Sequence, residues 1–122
     1  MELLHRHEFL EFYVGRNGDF DVMAAMAVKR AQRRYGTETS SLSLVLPYSV
    51  KDEEQLANYY DDILYPIPPS VHFKAAIKKR NEWMIDQVNF LITYVKKFEG
   101  GANTALEYAK TKRIDFNNIA FG

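Results

Sequence analysis

Residues 9–21 read FLEFYVGRNGDFD, and this stretch decides the fold that the rest of the chain completes. Residues 9–14 are rich in aromatic residues and end in valine, which is typical of a strand. Two glycines separated by polar residues then mark a turn. From Phe20 to Gly36 apolar residues recur at helical spacing. The stretch therefore predicts a strand, a glycine-containing turn and a helix of about four turns.

The remaining sequence repeats this alternation of strands and helices. Residues 88–95, VNFLITYV, form the most hydrophobic of these segments and are expected to be the central strand. Further strands are predicted over residues 42–46, 63–65 and 114–121, and further helices over residues 51–62, 73–87 and 103–112. Such alternation predicts a Rossmann-like α/β fold of three layers, α/β/α, with a mainly parallel sheet. No linker or repeat interrupts residues 1–122, so we expect a single domain.

Composition narrows the class of protein. The 122 residues are 47% hydrophobic and 26% charged, as in one globular domain. Lysine plus arginine equals aspartate plus glutamate at 16 each, so nucleic acid is not an expected partner. The absence of cysteine excludes disulfides and thiolate chemistry and fits a cytoplasmic protein. The apolar runs are too short to suggest a membrane partner.

Metal and cofactor chemistry is not expected from this sequence. His5 and His7 lie near Glu2 and Glu8, but no further cluster of ligand residues follows them, so we interpret them as solvated surface. We therefore predict no metal site and no cofactor.

The first turn has the arrangement of a phosphate site. Ligands of open parallel sheets bind beyond the carboxyl ends of strands, where helix N-termini attract anions. Glycines permit close backbone approach, Arg16 adds a mobile positive charge, and Asp19 or Asp21 would cap the helix or hold a ribose hydroxyl. The alternative is a plain tight turn with Asp19 as the helix N-cap. The candidate ligand-binding residues are Gly15, Arg16, Asn17, Gly18, Asp19 and Asp21.

A second glycine turn follows the hydrophobic strand at residues 88–95. Residues 98–107 read FEGGANTALE, in which two glycines precede polar residues at a helix start. This pattern suits a nest of backbone N–H groups around a phosphate, although the carboxylate of Glu99 opposes an anion there. The candidate ligand-binding residues are Gly100, Gly101, Asn103 and Thr104.

Several of these segments together resemble one known family. FYVGRNGDFD at residues 12–21, KRNEWMID at 79–86, ITYV at 92–95 and the glycine pair at 100–101 have the order and spacing of the YpsA-like branch of the SLOG superfamily. The resemblance covers residues 9–120. It implies a Rossmann-like domain of bacterial or phage origin that binds a nucleotide or a nucleotide derivative, and a branch linked to cell division and stress.

The superfamily includes phosphoribohydrolases, and part of their signature is present. Residues 99–107, EGGANTALE, are similar to their Pro-Gly-Gly-x-Gly-Thr-x-x-Glu loop. That resemblance implies that Gly100, Gly101 and Thr104 hold phosphate, that Arg80 contacts substrate, and that Glu107 stabilises a ribosyl cation or positions water. Glu99 replaces the proline of that loop and Asn103 a glycine, which favours binding without turnover. The alternatives are a surface ion pair for Arg80 and an exposed carboxylate near Lys110 for Glu107.

A nucleotide-binding sensor or sequestering module is thus the leading functional expectation. A phosphoribohydrolase-like enzyme and a protein-interaction regulator of division or stress are the alternatives. Family members usually open with a strand, a Gly-His-Arg turn and a long helix ahead of the point where this sequence starts. A sheet without that strand would present unpaired backbone groups, so we expect a homodimer or higher homo-oligomer.

Overall fold

The computed structural model describes residues 9–16, 18–93, 95 and 101–118. Strands alternate with helices along these residues, and the described strand pairs are all parallel, which confirms the predicted Rossmann-like α/β class. The chain divides into two compact units, Met1–Tyr65 and Pro66–Gly122, which we call the first and the second unit. Among the helices of the described residues, none has the length and apolar character needed to cross a bilayer.

The described residues of the first unit form a three-stranded parallel sheet with two helices. The strands lie in the order β1, β2, β3, with Leu10 beside Ser40 and Val45 beside Leu64. Their carboxyl ends therefore share one edge of the sheet. The elements are β1 (Leu10–Val14), α1 (Asp19–Tyr35), β2 (Ser40–Val45), α2 (Glu53–Ala57) and β3 (Asp62–Leu64).

Strand β2 forms the core of the first unit. Leu42, Leu44 and Val45 have no exposed surface, because the strand is paired on both sides and covered by neighbouring side chains. Val28 from the inner face of α1 packs into the same cluster. A strand buried on both faces needs a nearly continuous apolar run, and the sequence SLSLV supplies it apart from its serines.

In the second unit the described residues form two helices and a two-stranded parallel sheet. Strand β4 pairs with β5, with Phe90 beside Asp115 and Thr93 beside Asn118. The side-chain amide of Asn118 extends this ladder, since it both donates to and accepts from the backbone of Val95 at 2.9 Å. The elements are α3 (Phe73–Gln87), β4 (Phe90–Thr93), α4 (Gly101–Thr111) and β5 (Asp115–Asn118).

Two of the sequence expectations are wrong. The described part of residues 88–95 is not a central strand: β4 pairs there with β5 alone, and Phe90 and Ile92 are 52% and 57% exposed. Hydrophobicity alone did not reveal which strand has neighbours on both sides. The helix predicted over residues 51–62 covers only Glu53–Ala57. The Asp61 N–H donates to the Leu42 carbonyl on β2 at 2.9 Å, so the chain is part of the sheet by residue 61.

Other boundaries agree closely with the sequence. The helix predicted over residues 73–87 is confirmed as Phe73–Gln87. The strand predicted over 114–121 is observed as Asp115–Asn118, and residues 119–121 lie outside the described part of the chain.

The carboxylate of Asp61 connects three elements of the first unit. Its Oδ2 accepts a hydrogen bond from Gln32 Nε2 on α1 at 2.9 Å and another from the Leu42 N–H on β2 at 2.7 Å. Gln32 is only 3% exposed and also donates to the Ser40 carbonyl at 3.3 Å. Asp61 therefore fixes α1 against the sheet at the point where β3 begins.

The same contacts set the ionisation of Asp61. Burial favours the neutral acid, but the hydrogen bonds from Gln32 and Leu42 and the charge of Lys29 outweigh it, so the pKa of Asp61 lies below its ordinary value of 3.8. A pKa that is lower in the folded state stabilises the fold above the unfolded pKa. That stabilisation is lost as the pH falls through the folded pKa.

Replacement of Asp61 by alanine is expected to destabilise the first unit by about 1–3 kcal/mol at neutral pH, because the buried Leu42 N–H loses its acceptor. Hydrogen exchange of the β2 amides measures this loss. The difference from the wild type should begin to shrink as the pH falls below the ordinary value of 3.8, and it should be smallest below the lower folded pKa, where the carboxylate is protonated in both states. Glu38→Ala, at an exposed loop position, is the control. Equal stability of the Asp61 and Glu38 variants at neutral pH would contradict this role.

Gly36 ends α1 with φ 91° and ψ 158°, a combination that is nearly restricted to glycine. A Cβ there would meet no atom within 4 Å, so Gly36→Ala tests the backbone alone. We expect a loss of about 1–3 kcal/mol in the free energy of unfolding. The matched control is Gly18→Ala, at an equally open but extended position (φ −170°), where we expect a change within about 0.5 kcal/mol. Similar losses in both variants would show that φ is not the cause.

Candidate functional site

The first turn connects β1 to α1 in the first unit. Gly15 is buried directly after β1, and Gly18 is the N-cap of α1 with an extended backbone. The interpretation of Asp19 as the N-cap is wrong, because the helix begins at Asp19 and Gly18 precedes it without a side-chain cap. Asp19 and Asp21 instead occupy the first helical turn, where carboxylates interact favourably with the helix dipole. Asn17 lies outside the described residues.

Arg16 is held by a carboxylate. Its Nη1 and Nη2 donate to the two carboxylate oxygens of Asp52 at 2.8 and 3.1 Å, a bidentate pair between the loop after β1 and the residue before α2. This hydrogen bonding lowers the pKa of Asp52 and raises that of Arg16. The side chains are 35% and 48% exposed, so the pair contributes little to stability. The Arg16 guanidinium, which was predicted to be mobile, is therefore bound to Asp52.

Further acidic and phenolic groups surround this ion pair. The Tyr65 hydroxyl, just past β3, donates to Glu53 Oε1 at 2.9 Å. Burial, and then the hydrogen bond to Glu53, raise the pKa of Tyr65. A phosphate bound at this turn would have to displace the carboxylate of Asp52 from Arg16. It would also be repelled by the nearby carboxylate of Glu53. The first turn is thus better matched to an internal ion pair than to an anion.

The second turn borders a cavity within the second unit. The cavity has a volume of about 180 Å³ and lies between α3 and the first turns of α4. Two of the predicted ligand-binding residues, Gly101 and Thr104, are in its wall. The lining residues are Lys74, Ile77, Lys78, Asn81, Glu82, Gly101, Thr104 and Ala105.

The charge and the backbone of this cavity suit a small anion. Lys74 and Lys78 are one turn apart on α3 and both line it, and Glu82 is the one carboxylate among the described lining residues. The N–H groups of the first turn of an α-helix lack intrahelical partners and attract anions, and Gly101 begins α4. A Cβ at Gly101 would meet no atom within 4 Å.

The α3 side of the cavity was not among the predicted ligand-binding residues. Lys74, Lys78 and Asn81 recur at spacings of four and three, which places them on one face of α3. That spacing was readable in the sequence. The missing information was that this face is turned towards the start of α4.

Arg80 is buried rather than on the surface. Its side chain is 2% exposed, which rules out the surface ion pair considered from sequence, and its Nε donates to Asn81 Oδ1 at 2.8 Å. Arg80 is not part of the cavity wall, whereas Asn81 is. The arrangement lets Arg80 orient an amide of the wall. Direct contact between Arg80 and a substrate stays a prediction.

Glu107 and Asn103 lie on α4 outside the cavity lining. The Glu107 carboxylate is 59% exposed and accepts from Lys110 Nζ at 3.2 Å, as in the alternative of an exposed carboxylate. Asn103 is half-buried. Gly100 falls outside the described residues, so its predicted phosphate contact stays untested. The structure thus gathers Gly101 and Thr104 with two lysines, and the catalytic role of Glu107 stays a prediction.

Metal binding has no support from the described side chains. Within residues 9–16, 18–93, 95 and 101–118, no three His, Asp or Glu side chains are grouped as a metal ion would require. His5 and His7 lie outside these ranges.

Comparisons with known proteins give no relatives. No protein-family model matches the chain, and neither curated proteins nor solved structures yield a match. The resemblance to the YpsA-like branch of the SLOG superfamily therefore stays a prediction carried by the motifs.

Arg16→Gln should move the pKa of Asp52 up towards its ordinary value of 3.8, because the hydrogen bonds that favour the carboxylate are lost. The pKa is measured by an NMR titration of the Asp52 carboxyl carbon. Arg30→Gln, at an exposed position of α1, is the control and should leave this titration unchanged. An unaltered pKa in the Arg16 variant would mean that the ion pair is not formed in solution.

Proposed function

We propose that this chain is a nucleotide or nucleotide-derivative binding protein, and that the cavity between α3 and α4 receives the ligand's phosphate. The observation that carries the proposal is the convergence of Lys74 and Lys78 with Gly101 and Thr104 around one small cavity. Two ammonium groups and a helix N-terminus act on an anion in the same direction. The motif resemblance to nucleotide-binding SLOG domains supports the same class of ligand.

The size of the cavity indicates which part of the ligand enters. Pockets that enclose a drug-sized molecule have volumes of about 300–1,000 Å³. At about 180 Å³ this cavity is suited to a phosphate group and part of an attached sugar. The base would then lie outside it. Affinity should depend on the phosphate more than on the identity of the base.

The positions of the two residues assigned to catalysis favour ligand binding without turnover. Turnover by the phosphoribohydrolase resemblance would need Glu107 beside the anomeric carbon and Arg80 on the substrate. Glu107 is instead exposed and paired with Lys110, and Arg80 is buried outside the cavity wall. We therefore propose a sensor or sequestering module, located in the cytoplasm of a bacterium or in a phage-infected cell.

The ligand class is tested by thermal shift with AMP, ADP-ribose, NAD and cyclic nucleotides, with adenosine as the phosphate-free comparison. A ligand at 100 times its dissociation constant stabilises the fold by about 2.7 kcal/mol, which is readily measured. We expect at least one phosphorylated ligand to raise the melting temperature and adenosine to have little effect. No shift with any member, or equal shifts with AMP and adenosine, would refute the phosphate site.

Lys78→Gln is expected to weaken binding of the responding ligand at least about tenfold, because a charge-assisted hydrogen bond is worth about 1.5–3 kcal/mol. Lys79→Gln is the matched control: it removes the same charge from the adjacent exposed position, which does not line the cavity. Titration calorimetry compares the two. Equal losses would indicate general attraction rather than this cavity. Release of free base during the assay would favour the phosphoribohydrolase alternative instead.

A further inference from the structure

Helix α1 has an apolar outer face. Its inner face is buried against the first unit through Ala25, Val28, Ala31 and Gln32. On the opposite side Val22, Met23 and Met26 are 51%, 63% and 47% exposed. These three large apolar side chains lie within about one and a half helical turns and form a patch. Exposure of such a patch to water is unfavourable in free energy.

Charged residues of opposite sign flank this patch along the helix. At 100° per residue, Asp19, Met23, Met26 and Arg30 fall within a narrow stripe. Asp19 lies at the amino end of the stripe and Arg30 near its carboxyl end, and both are exposed. The stripe therefore runs from an acid through two methionines to a base.

A pattern of this kind is complementary to itself when reversed. Two such stripes packed in parallel would place each Asp19 against the other Asp19 and each Arg30 against the other Arg30. Packed antiparallel, every acid meets a base and the apolar patches coincide. A twofold axis produces this arrangement, because each copy then presents the same surface to the other.

We propose that a second copy of this chain docks antiparallel on the outer face of α1. The twofold axis passes at the level between Ala24 and Ala25. That register sets Asp19 of one copy level with Arg30 of the other and Met23 level with Met26. Residues 19 and 30 are about 16 Å apart along the helix axis, so the two ion pairs close the ends of an apolar interface. Methionine side chains are unbranched and adapt readily to such a contact.

This interface is independent of the phosphate cavity, which belongs to the second unit. It gives the homo-oligomer expected from sequence a specific contact surface, which rests on the exposed side chains of α1. The basic residues Lys29, Arg33 and Arg34 of the same helix lie outside the four-residue stripe or beyond its end.

The oligomeric state is measured by analytical ultracentrifugation of the full chain without nucleotide. We expect wild-type dimers, Met23→Asp monomers, and dimers for the control Tyr48→Asp, which places the same charge at an exposed aromatic position of the first unit. Circular dichroism confirms that each variant is folded. A wild type that is monomeric up to about 1 mM, or a Met23→Asp variant that still forms dimers, would overturn the proposal.

Charge exchange tests the register. Asp19→Arg and Arg30→Asp each bring like charges together twice in a dimer, so each alone should dimerise at least about tenfold more weakly than wild type. An equimolar mixture of the two should form heterodimers, because both contacts between positions 19 and 30 then join opposite charges. The double variant Asp19→Arg/Arg30→Asp should form homodimers. Failure of both the mixture and the double variant to recover dimerisation, with all chains folded, would refute the antiparallel pairing.

Discussion

The burial of β2 is the constraint on which the first unit depends. A strand that is almost fully buried must satisfy its N–H and C=O groups through neighbouring strands, because an unpaired buried group costs about as much as a lost hydrogen bond. Strands β1 and β3 provide these partners on either side of it. Their parallel direction then brings the residues that follow each strand to one edge. Arg16 and Asp52 meet there because β2 is central.

The two glycine turns share a sequence pattern but differ in electrostatic surroundings. Around Arg16 the carboxylates of Asp52 and Glu53 already supply negative charge, and α1 begins with two more acids. At the start of α4 the neighbouring helix contributes two lysines and one glutamate instead. Glycine content made the turns look equivalent. The residues that distinguish them come from α2 and α3, which are distant in sequence from the turns that they face.

Local pattern predicted the elements well and their neighbours poorly. The helix predicted over residues 73–87 agrees with α3 at both ends, since helical propensity and spacing are properties of the segment itself. Whether β4 is a central strand depends on how many strands pair with it, and the composition of β4 does not encode that number. Arg80 was expected either to contact a substrate or to form a surface ion pair, and neither expectation placed it in the interior. Its burial became visible only once α3 was packed, and so did the shared cavity of Lys74, Lys78 and Thr104.

The sheet of the second unit has a kinetic consequence. In the described residues β4 and β5 pair only with each other, and Asn118 extends their ladder by one side-chain amide. A two-stranded sheet is marginal without packing support, so its amides exchange with solvent through openings that need not unfold the whole chain. Contacts with α4 join this sheet to the helix that borders the cavity of the second unit. A ligand that holds α4 in place would therefore slow the opening of β4 and β5, and occupancy of the cavity would be recorded as amide protection in strands that the ligand does not contact.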